Sequence, residues 1–162
     1  MNSNKPAVKR VTNFLTQHDI DVEIRELADS ARTAADAAAA LGVEVGQIAS
    51  SIVFSIPDPL LVITSGRHRV DTELVSSTAG LPKLGRADAD FVRNWSGFVI
   101  GGVSPIGWVH EENQYQPQTF IDIALDEYDE IWAAAGHTHV VFRTNFNDLM
   151  RISNATPISV EK

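Results

Sequence analysis

The sequence predicts an α+β fold in which a mixed, mostly antiparallel sheet is surrounded by helices. Two runs rich in β-branched residues, 50–56 and 60–65, flank Pro57-Asp58-Pro59, which is the pattern of a hairpin in a sheet core. A second pair of strand patterns follows closely at 130–135 and 139–143. Because these pairs look antiparallel and helical patterns separate them, we expect a sheet packed against helices and not a doubly wound parallel sheet.

Helices are expected where apolar residues recur at helical spacing or where helix-forming residues accumulate. Residues 6–17 place their valines, Phe14 and a leucine on one face, and residues 31–41 are alanine-rich and stop at Gly42. Three further helices are each marked by a capping residue or a terminating glycine: 71–79 between Asp71 and Gly80, 87–95 before Gly97, and about 146–152 after Asn145.

The remaining predicted strands are short. Val22 and Ile24 alternate with polar neighbours over residues 21–27, and apolar runs predict strands at 98–100 and 119–123. No repeat, low-complexity tract or Pro/Gly-rich linker interrupts the 162 residues. We therefore expect one domain that spans residues 1–162.

The composition restricts the chemistry that the chain can perform. It contains no cysteine, which excludes a disulfide framework, a thiol nucleophile and a thiolate zinc site. Its formal net charge is −8, whereas proteins that grip long nucleic acids are usually basic, so a short single-stranded end is a more compatible partner than a duplex. Without a signal-peptide core or about 20 consecutive apolar residues, we expect a cytoplasmic protein with no membrane partner.

Basic and acidic residues are segregated along the sequence. Five cations lie between Arg67 and Arg93, while the stretch from Arg93 to Arg143 contains seven acids and no further cation. A phosphate contact is most expected in the basic segment, where Arg67-His68-Arg69 follows a predicted strand. The same charge pattern is also typical of a solvated face without a partner, and the acidic stretch is compatible with an interaction module.

The segment Gly101-Gly102-Val103-Ser104-Pro105-Ile106-Gly107 is the most unusual in the chain. Its glycines permit positive φ angles and close approach of the backbone. Successive free N–H groups in such a loop can hold an anion or a carbonyl oxygen that gains charge in a transition state. A tight structural turn has a similar composition, so the spacing leaves both interpretations open.

His137 and His139 alternate on a predicted strand, which would place both side chains on one side. Because no third histidine or carboxylate lies nearby in the sequence, we expect no metal site, and His137 is a candidate for lining a cleft. The sequence has no G-x-S-x-G elbow, P-loop or dinucleotide fingerprint, so neither a catalytic triad nor a cofactor is assigned.

Five segments, read in order, resemble the YbaK/prolyl-tRNA-synthetase-associated family of aminoacyl-tRNA editing domains. They are R-T-A-A-D-A-A-A-A-L-G-V (32–43), V-G-Q-I-A-S-S-I-V-F (45–54), L-L-V-I-T-S-G-R-H-R-V-D (60–71), I-G-G-V-S-P-I-G (100–107) and W-A-A-A-G-H (132–137). The resemblance covers most of the chain, from about residue 10 to residue 155.

The resemblance implies a hydrolase that cleaves the ester between a wrong amino acid and the 3′-terminal adenosine of tRNA. Editing is needed because a synthetase pocket rejects a smaller or isosteric side chain by only about 1–3 kcal/mol. The implied partners are the aminoacyl-tRNA 3′ end, with tRNA-Pro as one expected tRNA, and prolyl-tRNA synthetase. No cofactor is implied.

The resemblance also implies a set of site residues. The catalytic positions, where loop amides would orient the ester carbonyl while water attacks, are Ser50, Gly101, Gly102 and Ser104. The substrate-binding positions that it implies are Thr33, Ser51, Val103, Pro105, Gly136 and His137, and Arg67 and His68 join them as candidates because they follow a predicted strand end.

Ser50 marks a departure from the family pattern. The family has a lysine needed for activity in the segment Q-I-A-K, whereas this chain reads Q-I-A-S over residues 47–50. A hydroxyl lacks the fixed positive charge of an ammonium group. Three interpretations follow: another cation such as Arg32, Arg67 or Arg69 substitutes; the substrate differs; or the protein binds an aminoacyl-tRNA end, nucleotide or small ligand without hydrolysing it.

Overall fold

A computed structural model describes residues 2–161, and its five helices lie close to the predicted ranges. They are α1 (Pro6–Gln17), α2 (Ala34–Leu41), α3 (Thr72–Ala79), α4 (Ala89–Ser96) and α5 (Phe146–Ser153). The side chains of Asp71 and Asn145 cap α3 and α5, as predicted. Gly42, Gly80 and Gly97 end their helices in the left-handed conformation, also as predicted.

The strands include all the predicted ones except one, and add several short ones. They are β1 (Ile24–Glu26), β2 (Ile48–Ser55), β3 (Pro59–Ser65), β4 (Gly85–Arg86), β5 (Val109–His110), β6 (Asn113–Gln114), β7 (Gln118–Asp122), β8 (Ile131–His137), β9 (Val140–Thr144) and β10 (Thr156–Ile158). The sequence did not predict β4, β5, β6 or β10.

The main sheet has the strand order β1-β9-β8-β2-β3-β7-β10. Strand β4 pairs with the last two residues of β2, Phe54 and Ser55. The two predicted hairpins, β2–β3 and β8–β9, are antiparallel. The pairs β2–β8, β3–β7 and β7–β10 are parallel, which makes the sheet mixed. The predicted α+β class is therefore confirmed.

The strand predicted at 98–100 is wrong. The chain leaves α4 at Gly97 and enters a turn in which the carbonyl of Val99 accepts a hydrogen bond from the amide of Gly102. Phe98 is buried, whereas Val99 and Ile100 are 44% and 56% exposed. The three apolar residues therefore lie in different environments and do not form a strand of the sheet.

Helices α1 and α2 pack against the sheet. Helix α1 buries Val8, Val11 and Leu15 against the sheet, and each such side chain contributes roughly 1.5–3 kcal/mol when fully removed from water. Helix α2 lies near β2 and β8, where Ala38 packs in a cluster with Ile48 and Trp132. Within residues 2–161, none of the helices has the length and apolarity required to cross a bilayer.

Candidate active site

A cavity of about 340 Å³ lies where β2 and β8 separate. The ladder between these strands contains only the pairs Ile48/Trp132 and Ala49/Ala133. Beyond Ala49, that edge of β2 has no strand partner until β4 pairs at Phe54. The start of α2 and the loop after α4 border this gap. Together with β2 and the end of β8, they line the cavity with Arg32, Thr33, Ser50, Ser51, Ile52, Ile100, Gly101, Val103, Ala134 and Thr138.

One wall of the cavity is apolar and consists of side chains near α2. They are Leu27, Ala31, Ala34, Ala37, Ile48, Trp132 and Val141. The three alanines leave space that larger side chains would fill, and the guanidinium of Arg25 covers the Trp132 ring at 5.0 Å. Such a wall accommodates a small uncharged group.

Thr33 lies at the cavity because it is the N-cap of α2. Its hydroxyl accepts a hydrogen bond from the amide of Asp36 at 3.0 Å. The Asp36 carboxylate accepts hydrogen bonds from the amides of Arg32 and Thr33 at 3.2 and 3.3 Å. The bond from Arg32 makes the largest contribution to lowering the pKa of Asp36, and the bonds with Thr33 add to it. This capping box fixes the backbone of two residues that line the cavity.

Ser104 and Pro105 stabilise the glycine loop through hydrogen bonds and do not line the cavity. Ser104 is 0% exposed; its hydroxyl accepts from the amide of Ile106, and its carbonyl accepts from the Trp108 indole at 2.7 Å. The carbonyl of Pro105 accepts from the Gln116 side chain at 3.1 Å. These buried bonds hold the loop in one conformation.

The two glycines of the loop differ in what they offer to the cavity. Gly101 lines it with a φ of 93°, whereas Gly102 is buried and its amide is already bonded to Val99. A Cβ atom on Gly102 would lie 2.9 Å from backbone atoms of His137 and Thr138. Gly101 and Val103 both line the cavity, and in the described chain their amides donate to no protein acceptor.

The two serines of β2 approach the cavity from opposite faces of the strand, because side chains alternate along it. Ser50 shares the face of Ile48 and Ile52, while Ser51 shares the face of Ala49. The hydroxyl of Ser51 is buried and, within residues 2–161, has no hydrogen-bond partner. Both serines contribute to the lining.

Arg32 is the cation that the structure places at the cavity. Arg67 and His68 instead line a separate depression of about 330 Å³. Arg67 forms an ion pair with Glu127 and donates to the hydroxyl of Tyr128 at 3.2 Å. These interactions raise the pKa of Arg67 against the opposing effect of desolvation, which is the largest single influence.

His68 is held by a buried carboxylate at that second depression. Its Nδ1 lies 2.8 Å from Asp122, which is 1% exposed. The same carboxylate accepts from the amides of Ser65 and Ala124, at 3.0 and 2.9 Å. This network ties the end of β3 to β7, so His68 is not brought together with Ser50 or Gly101.

Gly136 and His137 lie beside the cavity and not in its lining. Gly136 has a φ of 95°, and a Cβ there would be 2.8 Å from the carbonyl of Ala7 in α1. His137 Nδ1 accepts from the amide of His139 at 3.1 Å, and His139 Nδ1 lies 3.2 Å from the carbonyl of Ala31. Thr138, which the sequence analysis missed, lines the cavity between them.

No group of three or more potential metal-ligating residues occurs within residues 2–161. The two histidines predicted to alternate on one strand are separated by a turn, since β8 ends at His137 and β9 begins at Val140. Their rings are 5.7 Å apart. The cavity lining likewise contains no Asp, Glu or His among the described residues.

Several solved structures share this fold over nearly the whole chain. A candidate trans-editing enzyme for prolyl tRNA synthetase is 33% identical, with a TM-score of 0.88 and coverage of 98% of both chains. A structure from epitope backbone grafting by computational design on scaffold proteins is 32% identical, with a TM-score of 0.88 and coverage of 98% of this chain and 99% of that one. The fold and the identity to the candidate trans-editing enzyme indicate the class of tRNA-editing domains.

The aminoacyl-tRNA editing domain family model matches residues 28–152, and the chain belongs to that family. The resemblance found in the sequence is thereby confirmed. The uncharacterized protein YwhH of Bacillus subtilis (strain 168) is 25% identical over 149 residues, which cover 91% of each chain. The hypothetical protein APE2540 is 20% identical with a TM-score of 0.80, covers 94% of this chain and 99% of its own, and shows the fold alone.

Proposed function

We propose that this protein hydrolyses the ester of mischarged aminoacyl-tRNA in trans. The observation that carries the proposal is the cavity between β2 and the glycine loop, where the free amides of Gly101 and Val103 border an apolar recess. Amides held in place by Ser104 and Gln116 can stabilise a developing oxyanion without reorganising. The apolar recess would hold the side chain of the amino acid.

Water is the nucleophile in this proposal. The described lining offers no carboxylate or imidazole to act as general base and no cysteine as nucleophile. The family resemblance implies that the free hydroxyl of the substrate's terminal ribose, adjacent to the ester, assists the attacking water. Catalysis would therefore depend on positioning and on the loop amides.

Arg32 is proposed to replace the lysine that is missing at Ser50. Arg32 lines the cavity and forms no salt bridge in the described chain, whereas Arg67 is already paired with Glu127. A guanidinium can bind a phosphate through two parallel hydrogen bonds. It would therefore bind the phosphate that precedes the terminal adenosine.

The tRNA, the partner and the compartment are part of the proposal. The relative described as a candidate trans-editing enzyme for prolyl tRNA synthetase makes tRNA-Pro the first tRNA to test and prolyl-tRNA synthetase the first partner. The apolar lining of the recess favours an uncharged amino-acid side chain. The cytoplasm, where tRNA is charged, is the compartment that we propose for a protein with such a substrate.

The decisive experiment follows amino-acid release from a panel of tRNAs, starting with tRNA-Pro carrying small amino acids. We expect release well above the spontaneous rate and a loss of at least about tenfold in Gly101→Val, because a β-branched residue cannot readily adopt the positive φ of Gly101. Gly80→Val is the matched control, since Gly80 has a similar φ of 67° but caps α3 away from the cavity.

A second candidate function is binding without hydrolysis, and the replacement of lysine by Ser50 favours it. Under this alternative the wild type binds the acceptor end and releases no amino acid. Ser50→Lys separates the two candidates: release that appears only in this variant indicates an intact pocket that lacks its cation. If no variant releases amino acids and none binds the acceptor end, the proposed function is wrong.

A further inference from the structure

The edge of β2 beside the cavity carries backbone groups without a strand partner. Along a strand, the backbone N–H and C=O groups of successive residues point to opposite edges, so the direction of one residue's groups fixes that of the others. The carbonyl of Ile48 accepts from the amide of Gly66 and therefore points toward β3. The register between β2 and β3 has no shift from Ala49 to Ser55, so Ser51 points its N–H and C=O toward the gap.

The orientation at the other end of β2 agrees with this assignment. Ser55 pairs with Gly85 of β4, and a Cβ on Gly85 would lie 3.0 Å from the carbonyl oxygen of Ser55. Ser55 and Ser51 are four residues apart and so face the same edge. Between Ala49, which pairs with β8, and Phe54, which pairs with β4, Ser51 is the edge-facing residue that lines the cavity.

The short length of this free edge decides what can occupy it. Four residues, 50–53, lie unpaired between β8 and β4, and at about 3.3 Å per residue they span roughly 13 Å. An added strand from another chain needs several consecutive pairs and would meet β8 or β4. Ser51 and Val53 direct their N–H and C=O toward this edge, but Ser51 lines the cavity and Val53 lies outside its lining, so a ligand in the cavity meets the backbone groups of one residue.

An aminoacyl group has the complementary hydrogen-bonding pattern. Its α-ammonium group donates and its acyl oxygen accepts, and the two are joined through the α-carbon and the carbonyl carbon, as the N–H and C=O of one residue are. Two directly opposed residues of an antiparallel pair can exchange both of their N–H···O bonds in this way. The backbone of Ser51 thus matches the part of the substrate that is common to all amino acids, while the apolar recess meets the part that differs.

We propose that the backbone N–H and C=O of Ser51 bind the α-aminoacyl group of the substrate as a one-residue strand. The inference rests on the proposed function. The carbonyl of Ser51 accepts from the α-ammonium group, and its amide donates to the acyl oxygen. Gly101 and Val103 provide the loop amides at the same cavity. The protein consequently selects acyl groups that carry an α-amino group.

The first test measures binding and does not require hydrolysis. The probes are two non-hydrolysable adenosines whose ribose 3′ position carries alanine or propionate in amide linkage, which differ only in the α-amino group. We expect the alanyl compound to shift the Ser51 amide resonance and to bind at least about tenfold more tightly, as the loss of a charged hydrogen bond requires. Equal affinity, or no effect of either compound on Ser51, overturns the inference.

The second test compares Ser51→Pro with Ser51→Ala. Both variants lack the hydroxyl, but only proline lacks the N–H, and on a strand edge that N–H is not part of the ladder to β3. We expect Ser51→Pro to hydrolyse and bind at least about tenfold less well than Ser51→Ala. Equal values in two folded variants overturn the inference; if the proline variant does not fold, the comparison of the two adenosines decides.

These measurements separate the inference from the proposed function. Wild-type protein that releases no amino acid but binds the alanyl probe at Ser51 contradicts hydrolysis and retains the recognition of the aminoacyl group. Wild-type protein that releases amino acids and treats both probes alike contradicts the role of Ser51 alone.

Discussion

Thr33 and Asp36 cap each other at the rim of the cavity. The amide of Asp36 donates to the Thr33 hydroxyl at 3.0 Å, and the amide of Thr33 donates to the Asp36 carboxylate at 3.3 Å. The pair fixes the start of α2: Arg32 and Thr33 precede the helix at the cavity, and Ala34 and Ala37 of the helix line the apolar recess. Local helix stability and the shape of the candidate site are therefore linked.

Removal of the Thr33 hydroxyl should affect both properties. We expect Thr33→Ala to lower the free energy of unfolding by about 1 kcal/mol, the usual cost of a lost N-cap, and to reduce deacylation. Thr33→Ser keeps the hydroxyl and should retain most of the stability. Urea unfolding and amino-acid release measure the two effects. Equal stability of Thr33→Ala and wild type would show that the cap does not stabilise α2.

Asp36 should contribute to the pH dependence of stability. Its pKa in the folded protein is lowered from 3.8, so its contribution is present above that value and is lost as the pH falls through the lower folded pKa. We expect the difference in Tm between wild type and Asp36→Asn to be largest near about pH 6 and to shrink below about pH 4. A difference that stays constant with pH would contradict the role of the carboxylate charge.

Gly102 should tolerate a side chain less well than Gly42. A Cβ on Gly102 would press on the backbone of His137 and Thr138 at 2.9 Å, which cannot move like a flexible side chain. Gly42 has a positive φ but no atom within 4 Å of its Cβ position, so Gly42→Ala costs only backbone strain of roughly 1 kcal/mol. We expect Gly102→Ala to cost more than this in urea unfolding and to displace the loop from the cavity; similar losses would show that the loop yields easily.

Arg32 and Arg67 should differ in their effect on substrate binding. Arg32 lies at the cavity, whereas Arg67 pairs with Glu127 at the second depression. We expect Arg32→Ala to raise KM for the mischarged tRNA by about tenfold, consistent with loss of one charge-assisted contact. Arg67→Ala should leave KM near the wild-type value. The opposite ranking would place the phosphate at Arg67 and contradict the proposed substitution for lysine.

The sequence was sufficient for elements whose stability comes from their own residues. The β2–β3 hairpin follows from its β-branched runs and its proline-rich turn, and α3 and α5 follow from their capping residues. The strands β4 and β10 have two and three residues and form only because β2 and β7 offer them an edge. Their existence depends on tertiary pairing, so no local pattern predicted them.

The same distinction applies to the candidate site. The glycine loop was visible as a motif, but the sequence could not show that the amide of Gly102 is bonded within the turn while that of Gly101 remains free. Arg67 and His68 resembled phosphate-binding residues, yet their partners, Glu127 and Asp122, are distant in the sequence and lie elsewhere in the fold. Thr138 gave no signal beyond following Gly136-His137.

The contact of Gly136 with the carbonyl of Ala7 joins the beginning of the chain to its last third. During synthesis, α1 is complete long before β8 exists, so the end of β8 beside the cavity cannot form until most of the chain has been made. Contacts of this long sequence separation carry a large loop-closure entropy and slow the folding rate. We expect the region around His137 to be among the last to become protected in pulse-labelled hydrogen exchange, after the β2–β3 hairpin.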